Sequence, residues 1–272
     1  MRLNSHAGHG KQDSKSCGAV DIIKESIEDR LVNDTFVKLG REDGNTVFDC
    51  TVDYPNSQQD CLNKIVVKCN ANWVDLDVSH HFNSGRDDDL GDGSIGGVEV
   101  YVYSTNDPTY EIGKRVCANI EKLGFKNRGV KVKPEYFYLR KTKNKAMIIE
   151  YLFVDDKDDC NLYKKVGHEA LAKAALEGIL NKKLDNKPNS NTSQGSSTTN
   201  FKNGDYTGKK ARVAANVLNV RWDRGTNFDI IGKLKKNDIV KLNYCINGWI
   251  SIEGYKGNKG LGYIHTDYIE LL

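Results

Sequence analysis

The chain has 272 residues, enough for two domains, and its 28% charged and 38% hydrophobic residues describe a soluble globular protein able to fill a core. No run approaches the roughly 18 apolar residues of a membrane span. The polar stretch after Met1-Arg2-Leu3 contains no secretory h-region, so the expectation is a chain made in the cytoplasm without a signal peptide. The net charge of +3 is uneven: residues 209–272 hold 11 Lys/Arg against 6 Asp/Glu, and residues 1–208 hold 29 against 31. A basic tail on a slightly acidic body favours an anionic surface as its partner. No helix-turn-helix, zinc-finger or RNP pattern supports nucleic acid. The seven cysteines form no C-x-x-C pair and read as reduced, mostly buried thiols.

In chain order, a short extended start leads into Asn4-Ser5-His6-Ala7-Gly8-His9-Gly10, a histidine between two glycines. Residues 20–39 carry Ile23, Ile27, Leu31, Phe36 and Leu39 at helical spacing, with Glu25 off that stripe in the first turn. A strand is expected at 46–50 and a helix at 57–70. The alternation of 73–79 reads as a strand ending at His80-His81-Phe82-Asn83. A polar loop with Asp87-Asp88-Asp89 follows, then a strand at 98–103, a helix at 109–123, and a nearly continuous apolar run at 146–153 that fits a strand covered on both faces. One helix is expected at 159–181. Alternating strands and helices predict an α/β sheet domain with helices on both sides. Residues 183–208 have no periodicity and read as a flexible linker. Six short strand-like segments between 210 and 265 predict a small all-β barrel. The domains are therefore 1–182, the linker 183–208, and 209–272.

A catalytic zinc commonly has three protein ligands and an open position, and two histidines with a glutamate are one established set. The candidates are His9 after the first strand, Glu25 at the start of the first helix, and a histidine at the end of a central strand. Spacing leaves His80 and His81 open. Neither H-E-x-x-H nor H-x-x-E occurs. A glycine-flanked loop histidine and a first-turn acid both have ordinary solvated readings. Glu150, inside the apolar run, is costly to bury unless paired or functional. It is the candidate general base beside the metal.

The order of these pieces resembles the zinc-dependent N-acetylmuramoyl-L-alanine amidase family (Amidase_3) of bacterial autolysins and phage endolysins. The matching residues over about 1–181 are Gly8-His9-Gly10, Glu25, Ser79-His80-His81-Phe82-Asn83 and Gly97-Val98-Glu99-Val100-Tyr101. Arg128-Gly129-Val130-Lys131, Leu139-Arg140 and Ala146-Met147-Ile148-Ile149-Glu150 then follow, with Phe153 beyond. The family usually has proline where this chain has Ala7 and glycine where it has Lys11. The resemblance implies a mixed central sheet flanked by helices. It implies His9, Glu25 and His81 as zinc ligands, Glu150 as the catalytic glutamate, and His80 as the variable residue before the ligand.

Its implied activity is hydrolysis of the amide between N-acetylmuramic acid and the L-alanine of the stem peptide in the peptidoglycan of Gram-positive walls. Without a signal sequence, a phage-type endolysin released to the wall is expected over an exported autolysin. A zinc peptidase acting within the stem peptide and a non-catalytic wall-binding protein are the alternatives. Arg140 and Asp87–Asp89 read first as solvated surface, with a place bordering the glycan or peptide as the alternative. The tail resembles a bacterial SH3 (SH3b) domain through Asn216-Val217-Leu218-Asn219-Val220-Arg221, Asn247-Gly248-Trp249 and Gly262-Tyr263-Ile264. Such a module implies wall binding. Asn219, Arg221, Trp222, Tyr244 and Tyr263 are its surface candidates, while Leu218, Val220 and Trp249 are expected in the core.

Overall fold

In the computed structural model the described residues are 1–184, 201–202, 204–225, 228–246 and 248–272. Most of the expected linker, 185–200, lies outside them, as does Asn247 of the later barrel motif. The chain divides into two compact units, Met1–Asp185 and Asn186–Leu272.

The first unit is built on a six-stranded sheet in the order β2-β1-β3-β6-β4-β5. Its strands are β1 (Arg2–Ala7), β2 (Thr46–Asp49), β3 (Leu76–Asn83), β4 (Val98–Val102), β5 (Asn127–Val132) and β6 (Ala146–Phe153). β2, β1, β3 and β6 run parallel, while β4 and β5 run the other way. The sheet is therefore mixed, as the expected α/β class requires. Six helices accompany it: α1 (Glu25–Glu42), α2 (Gln58–Asn70), α3 (Thr109–Glu121), α4 (Phe137–Lys141), α5 (Lys157–Val166) and α6 (His168–Leu180).

Alternate residues of each strand point to opposite faces, and the two faces bury different layers. Leu3, Val78, Val100, Ile149 and Tyr151 face a large core with Phe36 of α1, Val116 of α3 and Leu176 of α6. On the other face Tyr101, Ala146 and Ile148 pack with Cys61, Ile65 and Cys69 of α2 and with Tyr138 and Leu139 of α4. These two helices cover the lower rows of that face, and the row above them carries the site.

The single helix expected at 159–181 is two helices. Gly167 breaks it at φ 80°, a left-handed conformation that glycine adopts without the cost a side chain incurs. The edge strand β5 and the single-turn α4 were not foreseen, since neither has the apolar periodicity of the other elements. All seven cysteines are unbridged and six are buried.

Among its described residues the second unit holds eight short strands in antiparallel pairing: β7 (Gly204–Asp205), β8 (Lys210–Val213), β9 (Val217–Arg221), β10 (Ile230–Lys235), β11 (Ile239–Ile246), β12 (Trp249–Ile252), β13 (Gly262–His265) and β14 (Ile269–Leu271). Leu218, Val220, Leu242, Ile250 and Ile264 form its core. Trp249 is half-buried against the edge of His265, at 5.1 Å between ring centroids.

Candidate metal centre

Register across the sheet puts three acid–base residues in one row. His81 of β3 pairs with Glu150 of β6, and Glu150 pairs with Glu99 of β4. Residues paired in this way share a face, and two residues further down Ser79, Ile148 and Tyr101 repeat the row over the apolar layer.

Glycines make room for the ligand set. A Cβ on Gly8 would fall 2.0 Å from His81 Cε1 and 2.2 Å from Nε2, so the imidazole lies across the β1 backbone where only glycine leaves space. That placement brings His81 Nδ1 to 3.0 Å from Glu25 Oε1. His9, the next residue, puts Nε2 3.3 Å from the same oxygen. The two rings meet edge to face, 4.9 Å between centroids. Gly18, at φ +68°, leaves the opposite wall open; a Cβ there would sit 2.5 Å from Glu25 Oε2 and 2.7 Å from His9 Cδ2.

Glu25 opens α1 and is 4% exposed. Burial works against its charge, but the bonds and charges of His81 and His9 outweigh that and hold its pKa well below the usual carboxylate range. Backbone N–H groups of Phe82 (3.1 Å) and Ala19 (2.8 Å) donate to its two oxygens.

The same helix fixes the His9 loop one turn later. Asp29 Oδ2 accepts from His9 N at 3.2 Å, and Arg30 Nη1 donates to His9 O at 2.9 Å. Arg30 Nη2 reaches Val52 O and Asp53 Oδ1, at 3.0 and 3.2 Å. Sequence reasoning missed Asp29 and Arg30. Their signal was their place four and five residues after Glu25, on neighbouring faces of one helix.

His80 points the other way. Its Nε2 lies 3.0 Å from Ser5 Oγ and its Nδ1 2.8 Å from Tyr151 OH, on the buried face. Because Ser5 Oγ donates to Asn33 Oδ1, it accepts from His80 Nε2–H, and His80 Nδ1 accepts from Tyr151. Both ring nitrogens are thus engaged, which leaves His81 to face Glu25.

The candidate ligand atoms of His9, Glu25 and His81 lie within 4.8 Å of one another. With zinc bonds of about 2.0–2.1 Å, neighbouring ligands of a tetrahedral site sit about 3.3–3.4 Å apart. The 3.0 and 3.3 Å separations at Glu25 Oε1 are close to that spacing. Two imidazoles, one carboxylate and an open side fit a zinc site. Glu150 stands beside them with Oε2 buried and without a partner among the described residues. Burial first, then the charges of Glu25 and Glu99, lift its pKa well above the carboxylate range.

Two hollows meet at His9, His81 and Glu150. One, of about 330 Å³, is walled by apolar groups including Leu62, Ile65, Tyr136 and Phe137. The other, of about 540 Å³, is polar, with Lys15, Gln58, Asn83 and Ser84. Arg140 and Asp87–Asp89 line neither. The Asp87–Asp89 loop instead ties itself to the sheet end: Asp155 Oδ2 accepts from the backbone N–H of Gly85, Arg86 and Asp87. Asp88, Asp156 and Asp158 also cluster, but they accept from backbone N–H groups of Gly91, Asp92, Gly93, Asp158 and Asp159.

In the barrel, Trp222 and Tyr244 are exposed at 43% and 48%, and Asn219 and Arg221 are half-buried, with Arg221 Nη1 donating to Phe228 O. Tyr263 is a correction to the surface set. It is 1% exposed, its ring lies under the Arg224 guanidinium, and its OH donates to Asn258 O.

A mixed sheet that brings two histidines and the first residue of α1 together beside a buried glutamate has the donor set of a metal centre, and the comparisons name the family. The chain belongs to the N-acetylmuramoyl-L-alanine amidase family (Amidase_3), which matches residues 6–181, and residues 216–270 match the bacterial SH3 domain. An uncharacterized protein of Clostridium perfringens is 30% identical over 186 residues, 68% of this chain and 53% of that protein, so the chain spans about half its length. The endolysin of Bacillus phage SPP1 is 32% identical over 194 residues, 64% of this chain and 62% of that one. Among solved structures, the catalytic domain of the CD27L endolysin targeting Clostridium difficile superposes with a TM-score of 0.60 at 25% identity. The match covers 68% of this chain and 99% of that domain. The amidase AmiC2 of Nostoc punctiforme shares the fold, with a TM-score of 0.55 at 21% identity over 66% of this chain and 96% of that one.

Proposed function

We propose that this protein is a peptidoglycan hydrolase that cuts the amide between the lactyl group of N-acetylmuramic acid and L-alanine. The observation that carries the reading is the convergence of His9 Nε2, His81 Nδ1 and Glu25 Oε1 beside the unpartnered, buried Glu150. Family membership points to the same bond. His9, Glu25 and His81 would hold zinc, which supplies Lewis acidity for the amide carbonyl and acidifies water.

The chain's own residues do the rest. Glu150 takes a proton from the attacking water and hands it to the leaving amine. Its high proton affinity, which burial raises before the charges of Glu25 and Glu99 do, suits the second half of that task, and a cation held by His9, Glu25 and His81 would offset the Glu25 contribution. The Asp29–Arg30 clamp keeps His9 in place through the cycle. The apolar and polar hollows on either side of Glu150 give the two sides of the bond different surroundings. The barrel holds the wall, and its linkage in the same chain raises the effective concentration of bonds near the site. Trp222 and Tyr244 are its exposed aromatic contacts, with Asn219 and Arg221 beside them. The place of action is the cell wall.

Digestion of purified walls, followed by identification of new amino termini, tests the reading. Alanine termini of intact stem peptides are expected, and Glu150→Gln should lose about 10²- to 10⁴-fold in their release while keeping the metal. New termini within the stem peptide would instead mark a peptidase.

A further inference from the structure

The row that holds His81 and Glu150 continues beyond the reacting centre, and its far end has an arrangement that the chemistry above does not use. Glu99 is 2% exposed and is saturated with donors. Its Oε1 accepts from Asn83 Nδ2 at 3.0 Å and from Tyr101 OH. Its Oε2 accepts from Arg128 Nε at 2.7 Å and from Lys131 Nζ. A buried carboxylate needs one countercharge to offset its desolvation. This one has two, which leaves a surplus positive charge where the side chains of Arg128 and Lys131 are 27% and 40% exposed, just outside the residues that line the two hollows.

Arg128 is also fixed in direction. Its guanidinium carbon lies 4.9 Å from the centroid of the Phe153 ring, and Nε is taken by Glu99. Its Nη1 and Nη2 have no acceptor among the described residues. A guanidinium held by Nε and by one face presents its two terminal nitrogens as a fork, the geometry that matches a carboxylate.

We propose that Arg128, held by Glu99 and Phe153 and backed by Lys131, recognises the free carboxylate of the residue following L-alanine in the stem peptide. This inference rests on the amidase reading. In a stem peptide whose second residue is a glutamate linked through its side chain, the α-carboxylate of that glutamate remains free. One to two extended residues reach about 4–7 Å from the scissile nitrogen. Glu150 and Glu99 are cross-strand partners with Cβ atoms about 5 Å apart. The guanidinium lies one hydrogen bond beyond Glu99, on the scale of that reach. Arg128 is a binding and specificity residue in this account and takes no part in proton transfer.

The test uses the full zinc-loaded chain and two soluble ligands, muramoyl-L-alanyl-γ-D-glutamate and its counterpart with the α-carboxylate amidated. Calorimetric Kd and steady-state turnover are both measured. The wild type should favour the acid over the amide by about 10-fold or more, the strength of a hydrogen bond between charged groups. Arg128→Met should lose about 10- to 100-fold on the acid, in Kd and KM with kcat little changed, and should stay within about twofold on the amide. Arg128→Lys, which keeps the charge and loses the fork, should restore part of the preference and guards against a folding defect. Equal affinity of the wild type for both ligands, or equal loss on both in Arg128→Met, overturns the proposal. Failure of the amidase reading looks different: no cleavage at the lactyl–alanine bond of either ligand, with the binding preference still deciding the role of Arg128.

Discussion

Gly8→Ala replaces one hydrogen with a methyl group and strikes the ligand set directly. The added Cβ would lie 2.0, 2.2 and 2.4 Å from Cε1, Nε2 and Nδ1 of His81, where ordinary contacts begin at 3.4 Å. The imidazole therefore has to withdraw by more than about 1 Å, or β1 has to separate from β3, which overpacking of this kind costs about 1–3 kcal/mol. The cheaper route is movement of the ring, because Gly8 N–H···O=C His80 and the β1–β3 ladder hold the backbone. Moving Nδ1 away from Glu25 Oε1 breaks the donor triangle. The expected results are a drop of at least 10- to 100-fold in zinc affinity and of about 100-fold in turnover, with a melting temperature a few degrees lower. Zinc retained after dialysis against a competing chelator, circular dichroism melting and release of alanine termini measure the three. A Gly8→Ala chain that keeps one tightly bound zinc and wild-type turnover refutes the steric argument.

The salt-bridged Glu99 predicts an acid limb in the stability of the catalytic unit. Burial opposes its charge, but Arg128, Lys131 and Tyr101 together bring its pKa from 4.5 to about 2. A lowered carboxylate pKa stabilises the fold above 4.5, and the contribution is lost as pH falls from 4.5 to about 2. It amounts to about 3 kcal/mol. Glu99→Gln should therefore lose stability at pH 6 while showing a shallower decline between pH 5 and 2 in urea titrations, and parallel declines contradict this assignment. In the barrel, Trp222→Ala should reduce co-sedimentation with purified walls several-fold and leave turnover of a soluble muropeptide unchanged; undiminished sedimentation removes Trp222 from the wall contact.

The main features of the catalytic fold were legible where β6 is apolar nearly throughout and where α3 carries a regular stripe, whereas in α1 the expected stripe was displaced: Ile27 is exposed, and Glu25, Asp29 and Asn33 are buried beside Phe36. The run 146–153 is a strand in the structure, as are residues 98–102 of the expected 98–103, and residues 109–121 of the expected 109–123 are helical. The misses are places where the pattern is faint. β5 is an edge strand with a polar sequence, and Gly167 divides a stripe that looks continuous because α5 and α6 both face the same core.

The candidate site was legible as an ordered set of residues but not as a geometry. Nothing in the spacing of His9, Glu25 and His81 says that a missing Cβ at Gly8 lets one ring cross a neighbouring strand. Likewise, the place of Glu99 beside Glu150 is a fact of register between β4 and β6, two strands about 50 residues apart in the chain. Tyr263 was misplaced for a local reason: β13 lies inside the sheet between β9 and β12, and its tyrosine is buried beneath Arg224.

The most direct test of the account is the metal content of the purified full chain alongside its activity on walls. One zinc per chain is expected, with activity lost on chelation and restored by zinc. His9→Ala, Glu25→Ala and His81→Ala should each lose the metal, whereas His80→Gln should keep it. A chain that hydrolyses the lactyl–alanine amide at full rate with no bound metal contradicts the account.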